Sequence, residues 1–307
     1  MKRGRMIQEA PDVESSEGAL PCHLLAAEFI KVDVKRRHRI ISCKIRGVKT
    51  MYRIWIRSAV AFAVFFQGAL AHAAIKTQYV DYMHGNTPLK GYLAYDDSTS
   101  GKRPGVLLVH YRGGLQGDTL KDTEMIAKMG YVVFAEDIFG KDIVPKTVPE
   151  MTALTDIYNK DRALMRTRSN AGFDVLRKNP MVDPNRLAVI GYCFGGTVAV
   201  ELAETGVPVL GTVAVHGSFR NFEPERAKNI KGRVLILHGA EDEVAPLTEV
   251  NKLISDLRGA KINWELQVFS GAQHAFTNPT NPSEERADRE YKIAIERFFK
   301  EIFGRSS

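Results

Sequence analysis

The segment Gly191-Tyr192-Cys193-Phe194-Gly195-Gly196 places one thiol between glycines, after the apolar run RLAVI and before the helical pattern TVAVELAE. This is the spacing of a strand–nucleophile–helix turn, G-x-Nuc-x-G. In such a turn a tight, strained backbone lifts the nucleophile out of the end of a strand, and small neighbours allow strand and helix to approach closely. The helix N-terminus beneath Cys193, and an imidazole beside it, would favour thiolate over thiol. The backbone N–H of Phe194, next in sequence, would face the same space as an oxyanion donor. The competing reading is a small structural cysteine in a glycine-rich turn, which would be buried and have no basic neighbour.

A thiol nucleophile requires a base and an orienting acid, and in this topology both follow it along the chain. The segment LILHGAEDEVAP offers Asp242, flanked by Glu241 and Glu243 as rival carboxylates. The segment FSGAQHAFTNP offers His274 in the loop after the last apolar run. His274 would carry the thiol proton, and Asp242 would hold its tautomer and stabilise its charge. The glycine pair after LLVHYR sits where the second oxyanion N–H arises, which makes the Tyr111 or Arg112 backbone the candidate. The Arg112 side chain could also meet a substrate anion. His216 and His238 each end an apolar run before glycine and read as packing residues at the edge of the site. Arg162, Arg166 and Arg168 read as a solvated or salt-bridged helix face.

The elements that must carry these residues alternate. KTQYVDYMHGNTPLKGYLAYDD reads as two strands about Gly85-Asn86. PGVLLVH, YVVFAED, RLAVIGYC, VLGTVAVHG, RVLILHG and INWELQVFSG read as strands. Helices are predicted near Leu120–Met129, Met151–Lys178, Phe194–Thr205, Pro246–Arg258 and Ser283–Phe303. Unbroken Val/Ile/Leu runs mean strands covered on both faces, so the pattern predicts an α/β fold with a mostly parallel central sheet, helices on both faces and an antiparallel edge hairpin. No linker interrupts 74–307, which is read as one domain.

Charge divides the chain. Residues 1–73 hold 13 of the 43 Lys/Arg but 6 of the 36 Asp/Glu, so 74–307 carries 30 of each. The net charge of +7 therefore belongs to the first 73 residues, and a nucleic-acid partner is not expected. Residues 51–73 have the form of a secretory signal peptide: Arg53 and Arg57, the apolar run Ser58 to Phe66, then Ala71-His72-Ala73 as a small-x-small cleavage site. The apolar run is too short for a stable membrane anchor, and no cysteine follows it to carry a lipid. The expected location is periplasmic or secreted. The first 50 residues read as a disordered leader or an over-extended start, with translation from Met51 preferred. Of three cysteines, Cys22 and Cys43 lie in that prefix, so an exported body carries Cys193 alone, without an intramolecular partner.

Taken together, GYCFGG, HGAEDEVAP and GAQHAFTNP resemble the dienelactone hydrolase family of α/β-hydrolases over nearly all of residues 80–304. The resemblance implies the α/β-hydrolase fold and a Cys193–His274–Asp242 triad. It also implies hydrolysis of a small-molecule carboxylic ester or lactone through a thioester acyl-enzyme, with no metal or organic cofactor, in a monomer or dimer. Two departures argue against dienelactone itself as substrate. Tyr111 stands where the chlorocatechol-pathway members have a glutamate, and Asn278 stands where they have an arginine four residues after the catalytic histidine. A tyrosine at 111 would donate to the acyl oxygen or shape the pocket. Readings from other classes are a non-catalytic ligand-binding protein on this fold and an acyltransferase using an acceptor other than water.

Overall fold

The computed structural model describes residues 74–304 except position 221. The leader predicted for 1–50 and the signal peptide predicted for 51–73 lie outside the described residues. Eight strands form one sheet: β1 (Ile75–His84), β2 (Thr87–Asp96), β3 (Arg103–Val109), β4 (Val132–Glu136), β5 (Val182–Tyr192), β6 (Gly211–Val215), β7 (Arg233–Gly239) and β8 (Trp264–Phe269). Their spatial order is β1-β2-β4-β3-β5-β6-β7-β8. β1 pairs antiparallel with β2, as does β2 with β4. Every other pairing is parallel. The edge hairpin turns at Gly85, whose φ of 56° suits a residue without Cβ.

Among the described residues six α-helices flank the strands: α1 (Asp118–Ala127), α2 (Val148–Lys160), α3 (Arg162–Lys178), α4 (Phe194–Ala203), α5 (Leu247–Gly259) and α6 (Pro282–Phe303). The strand side chains show why the central runs lack polar alternation. Val106 and Leu108 of β3 pack with α1 and α6 residues such as Ile126, Phe298 and Phe299. Leu107 and Val109, one residue out of phase, pack on the opposite face with Phe173 and Leu176 of α3 and Val198 of α4. Both phases of each strand are buried, so both must be apolar.

The predicted helix 151–178 is two helices. The break falls at Asp161, whose carboxylate accepts from the Leu164 N–H at 2.8 Å and caps α3. Asp and Asn compete for backbone donors and so favour caps over helix interiors. The break turns α3 against α4. There Arg162 and Arg166 reach Glu201 at 3.3 and 2.7 Å in a buried cluster. Arg168 leaves that group and donates instead to His84 Nδ1 and the Ile138 carbonyl, at 3.0 Å each. The arginine face is therefore salt-bridged but buried rather than solvated.

Glu204 lies at the end of this cluster, fully buried, with neither carboxylate oxygen hydrogen-bonded. Burial, reinforced by the charge of Glu201, pushes its carboxyl up to about 9. The folded state thus holds this proton more tightly than the unfolded chain. Stability from the group is full below its ordinary value of 4.5 and is lost as pH rises to about 9. Glu204→Gln is expected to stabilise the protein by about 2 kcal/mol at pH 8, roughly 4–8 °C in Tm, and by much less at pH 5. Thermal melts at the two pH values check this, and a gain independent of pH would refute it.

Candidate active site

Cys193 occupies the turn between β5 and α4 with φ 56° and ψ −118°. A β-carbon is strained at that φ, and the surroundings hold it there. The backbone N–H of Cys193 is shared between the Val215 carbonyl at 3.0 Å and His216 Nδ1 at 3.1 Å. The flanking glycines are contacts rather than spacers. A β-carbon on Gly195 would lie 2.2 Å from the Val109 carbonyl oxygen, and one on Gly191 would lie 1.9 Å from that of Gly195. Backbone cannot yield as a side chain can. Gly195→Ala is therefore expected to cost at least about 3 kcal/mol. Gly259→Ala, with nothing within 4 Å of the new atom, is expected to be neutral or slightly stabilising. Urea unfolding of the pair checks the contrast.

The turn brings Cys193 Sγ within 3.2 Å of His274 Nε2. On the other side of the ring, His274 Nδ1–H donates to Asp242 Oδ2 at 2.8 Å. Sulfur, imidazole and carboxylate are thus connected in sequence, although they arrive from the ends of β5, β8 and β7. Cys193 and His274 are half-buried and Asp242 is buried. This separates the arrangement from a cysteine entombed in the core.

Asp242 Oδ1 accepts from the Val244 and Ala245 N–H groups at 3.0 and 2.8 Å, which fixes the carboxylate. Burial by itself would raise Asp242. The hydrogen bonds from His274 and Ala245 outweigh it and hold the carboxyl below its ordinary range. For His274 burial opposes the charged form, but the Asp242 and Cys193 hydrogen bonds and charges prevail and raise the imidazole to about 9. His274 therefore carries both protons at neutral pH. The rival carboxylates face elsewhere: Glu241 accepts from the Gly271 N–H at 2.7 Å, and Glu243 is exposed.

Phe194 opens α4, where the first N–H groups have no intrahelical partner. Its ring packs between Phe139 and His110. On the β3 side, His110 was not singled out from sequence. It is fully buried, and its Nδ1 contacts the Tyr111 carbonyl at 2.6 Å while its Nε2 accepts from the Ile138 N–H at 3.2 Å. These partners assign the proton to Nδ1 and pin the turn that carries Tyr111 and Arg112. The Tyr111 hydroxyl donates to Asp122 Oδ2 at 2.7 Å, and its ring stacks on Tyr192. The hydroxyl is thus committed inside the fold, so the side chain shapes the site rather than reaching for an acyl oxygen. Arg112 is exposed and makes no side-chain hydrogen bond among the described residues.

His216 and His238 are more than packing. His238 Nε2–H donates to the Ala245 carbonyl at 2.6 Å, behind Asp242. His216 is fully buried at φ 38°, contacts the Cys193 N–H, and lies edge-on to the His274 ring with centroids 5.0 Å apart. The sequence signal was a histidine before glycine at a strand end, but its hydrogen bonds depend on the register of β6 beside β5.

The donor atoms of Cys193, His216 and His274 lie within 4.8 Å of one another, and thiolate with imidazole suits a soft cation. His216 uses Nδ1 to accept from Cys193 and places Nε2 3.2 Å from Thr277 Oγ1. Cys193 Sγ and His274 Nε2 are engaged with each other at 3.2 Å, and three ligands fall short of the four of a structural zinc site.

Comparison with known proteins gives the family. The family model described as "Dienelactone hydrolase family" matches residues 89–303. A carboxymethylenebutenolidase homolog from Rattus norvegicus is 25% identical over 206 residues, covering 66% of this chain and 82% of that protein. A dienelactone hydrolase-like promiscuous phosphotriesterase from metagenomic libraries is 30% identical, with a TM-score of 0.71 over 75% of this chain and 100% of that one. The dienelactone hydrolase of Anabaena variabilis, 20% identical with a TM-score of 0.59, covers 74% of this chain and 98% of that one and shares the fold. The match runs from within β2 to the end of α6 and so takes in every strand but β1, and this chain belongs to the dienelactone hydrolase family of carboxylic-ester hydrolases.

Proposed function

We propose that the protein is an exported hydrolase of small carboxylic esters or lactones. Cys193 is its nucleophile, His274 its proton carrier and Asp242 the residue that orients and stabilises His274. The observation that carries this reading is the contact of 3.2 Å from Sγ to Nε2, continued by 2.8 Å from Nδ1 to the Asp242 carboxylate.

With the proton on His274, the sulfur attacks the ester carbonyl and a C–S bond forms. The charge that develops on the carbonyl oxygen falls beside the Phe194 N–H and a backbone N–H of Tyr111 or Arg112. His274 Nε2–H protonates the departing alkoxide as the C–O bond breaks, leaving a thioester and a neutral imidazole. That imidazole then takes a proton from water as the water oxygen attacks the thioester. The acid departs, the sulfur is released as thiolate, and the proton is back on His274. The half-buried position of Cys193 leaves room for that water.

The test is a panel of short p-nitrophenyl esters and lactones, with peptide mass spectrometry to locate the acyl group after rapid acid quenching. A thioester at Cys193 together with turnover supports the reading, and hydrolysis without label there overturns it. A stoichiometric adduct that never turns over would mark a binding protein, and ester products in added alcohol would mark an acyltransferase. The 30%-identical metagenomic protein is described as a phosphotriesterase, which makes a phosphotriester a useful member of the panel. Export rests on residues 51–73. Sequencing the N-terminus of protein from its native cell tests it, with a start near Ala74 as the expected result.

A further inference from the structure

Four hydrogen-bonding groups that the proposed chemistry does not use run in series from the nucleophile turn to a carboxylate on α1. The Cys193 N–H reaches His216 Nδ1 at 3.1 Å. His216 Nε2 lies 3.2 Å from Thr277 Oγ1. Thr277 Oγ1 lies 3.4 Å from the Tyr111 hydroxyl oxygen, the longest link, and Tyr111 donates to Asp122 Oδ2 at 2.7 Å. These residues belong to the end of β6, to the loop carrying His274, to the loop after β3, and to α1, so only the tertiary fold aligns them.

The two ends give the chain one direction. A backbone N–H can only donate, and an ionised carboxylate can only accept. Between them each group must pass a donor onward. His216 then accepts at Nδ1 and carries its proton on Nε2, Thr277 accepts from His216 and donates to Tyr111, and Tyr111 donates to Asp122. His216 is held neutral at about 3, first by burial and then by the charge of His274, so it has a single proton to place. The other tautomer would set an Nδ1–H against the Cys193 N–H.

We propose that Asp122, acting through Tyr111 and Thr277, is a positioning residue that keeps His216 in the tautomer anchoring the Cys193 amide, and with it the strained nucleophile turn. This rests on Cys193 being the nucleophile. Protonating Asp122 gives it a hydroxyl that can donate, and the hydroxyls between it and His216 are then free to reverse. Asp122 is faced by Tyr111 from the β3 loop and by Asp118 of its own helix. Asp288 and Lys292 of α6 also face it, and Tyr192 and Tyr291 lie close by. Burial first, against the opposing Tyr111 hydrogen bond, raises Asp122 to about 6. The anchoring tautomer is therefore enforced from both ends above about pH 7, and from the Cys193 end alone as pH falls through about 6.

The test is nitrogen-15 spectroscopy of the histidine rings in the full chain from pH 5 to 8, with His216→Gln assigning the signal. The expected result is His216 protonated at Nε2 at pH 7.5, shifting toward Nδ1 with a midpoint near 6. Tyr111→Phe, which cuts the chain, should abolish that pH response. It should also lower kcat about 3- to 10-fold at pH 7.5 with KM changed less than twofold. Nδ1 protonation of the wild-type protein at pH 7.5 would overturn the proposal, and so would an unaltered pH response in Tyr111→Phe. Should that variant fail to fold, the wild-type tautomer and its midpoint still decide. The ring signal needs no turnover, so it is separable from the functional reading. Ester hydrolysis with a pH-independent His216 refutes the relay alone, whereas the relay without hydrolysis refutes the function alone.

Discussion

Cys193→Ala should abolish hydrolysis of p-nitrophenyl esters, with kcat/KM falling by about 10⁴- to 10⁶-fold, while the thermal midpoint stays within a few degrees of wild type. The reason is local. The sulfur lies 3.2 Å from a doubly protonated imidazole and is half-exposed to solvent. Nothing else among the described residues pairs a nucleophile with that ring. A 10⁴-fold loss corresponds to about 5.5 kcal/mol of transition-state stabilisation, within what covalent catalysis supplies. Removing the thiol should alter stability little, because the turn is held by backbone contacts of Gly191 and Gly195 and by the shared Cys193 N–H. Cys193→Ser should recover no more than about 1% of activity. An alcohol ionises far less readily than a thiol and has to lose its proton during attack, and a serine at 193 brings no thiolate charge to the His274 ring. Steady-state rates and mass spectra of the acylated protein check both variants. Wild-type rates in Cys193→Ala would remove the sulfur from the mechanism.

For Asp242→Asn the expected loss is about 10³- to 10⁴-fold in kcat, with a shifted pH profile as its signature. In the wild type, burial opposes the His274 charge, but the Asp242 and Cys193 contacts raise the imidazole from 6.5 to about 9. Their stabilisation of the folded state is complete below 6.5 and is lost as pH rises through about 9. The alkaline limb of kcat/KM should accordingly lie near 9, where His274 loses the proton destined for the leaving group. An amide at 242 carries no charge, and its NH₂ can face Nδ1 and favour the wrong tautomer. The imidazole should drop toward its ordinary value, with the part of the rise due to Cys193 retained, and the alkaline limb should move acidward by about 1–2 pH units. Profiles from pH 5 to 10 for both proteins measure this. A variant that kept its limb near 9 would mean that Asp242 does not set the charge of His274.

Much of this site was legible before any coordinates. The two-phase apolar runs of β3, β5, β6 and β7 are legible because a strand covered on both faces has no polar phase to show. GYCFGG is legible because so tight a strand–helix turn admits few residue types. Its glycines meet backbone oxygens 1.9 and 2.2 Å from where a Cβ would stand. Asp242 and His274 are legible because a parallel sheet with right-handed connections brings the ends of successive strands to one edge. The break between α2 and α3 at Asp161 was not. A capping carboxylate resembles any solvent-facing aspartate until its loop geometry is known.

The sequence by itself thus determined the sheet, the cysteine turn and the three residues that meet there, because each obeys a local or topological rule. Only the tertiary structure decided what Tyr111, His110, His216 and Asp122 do. Their roles are hydrogen bonds between elements as far as 166 residues apart, as between Tyr111 and Thr277. Such bonds have a direction and a length, set by strand register and helix packing, that no short stretch of chain encodes.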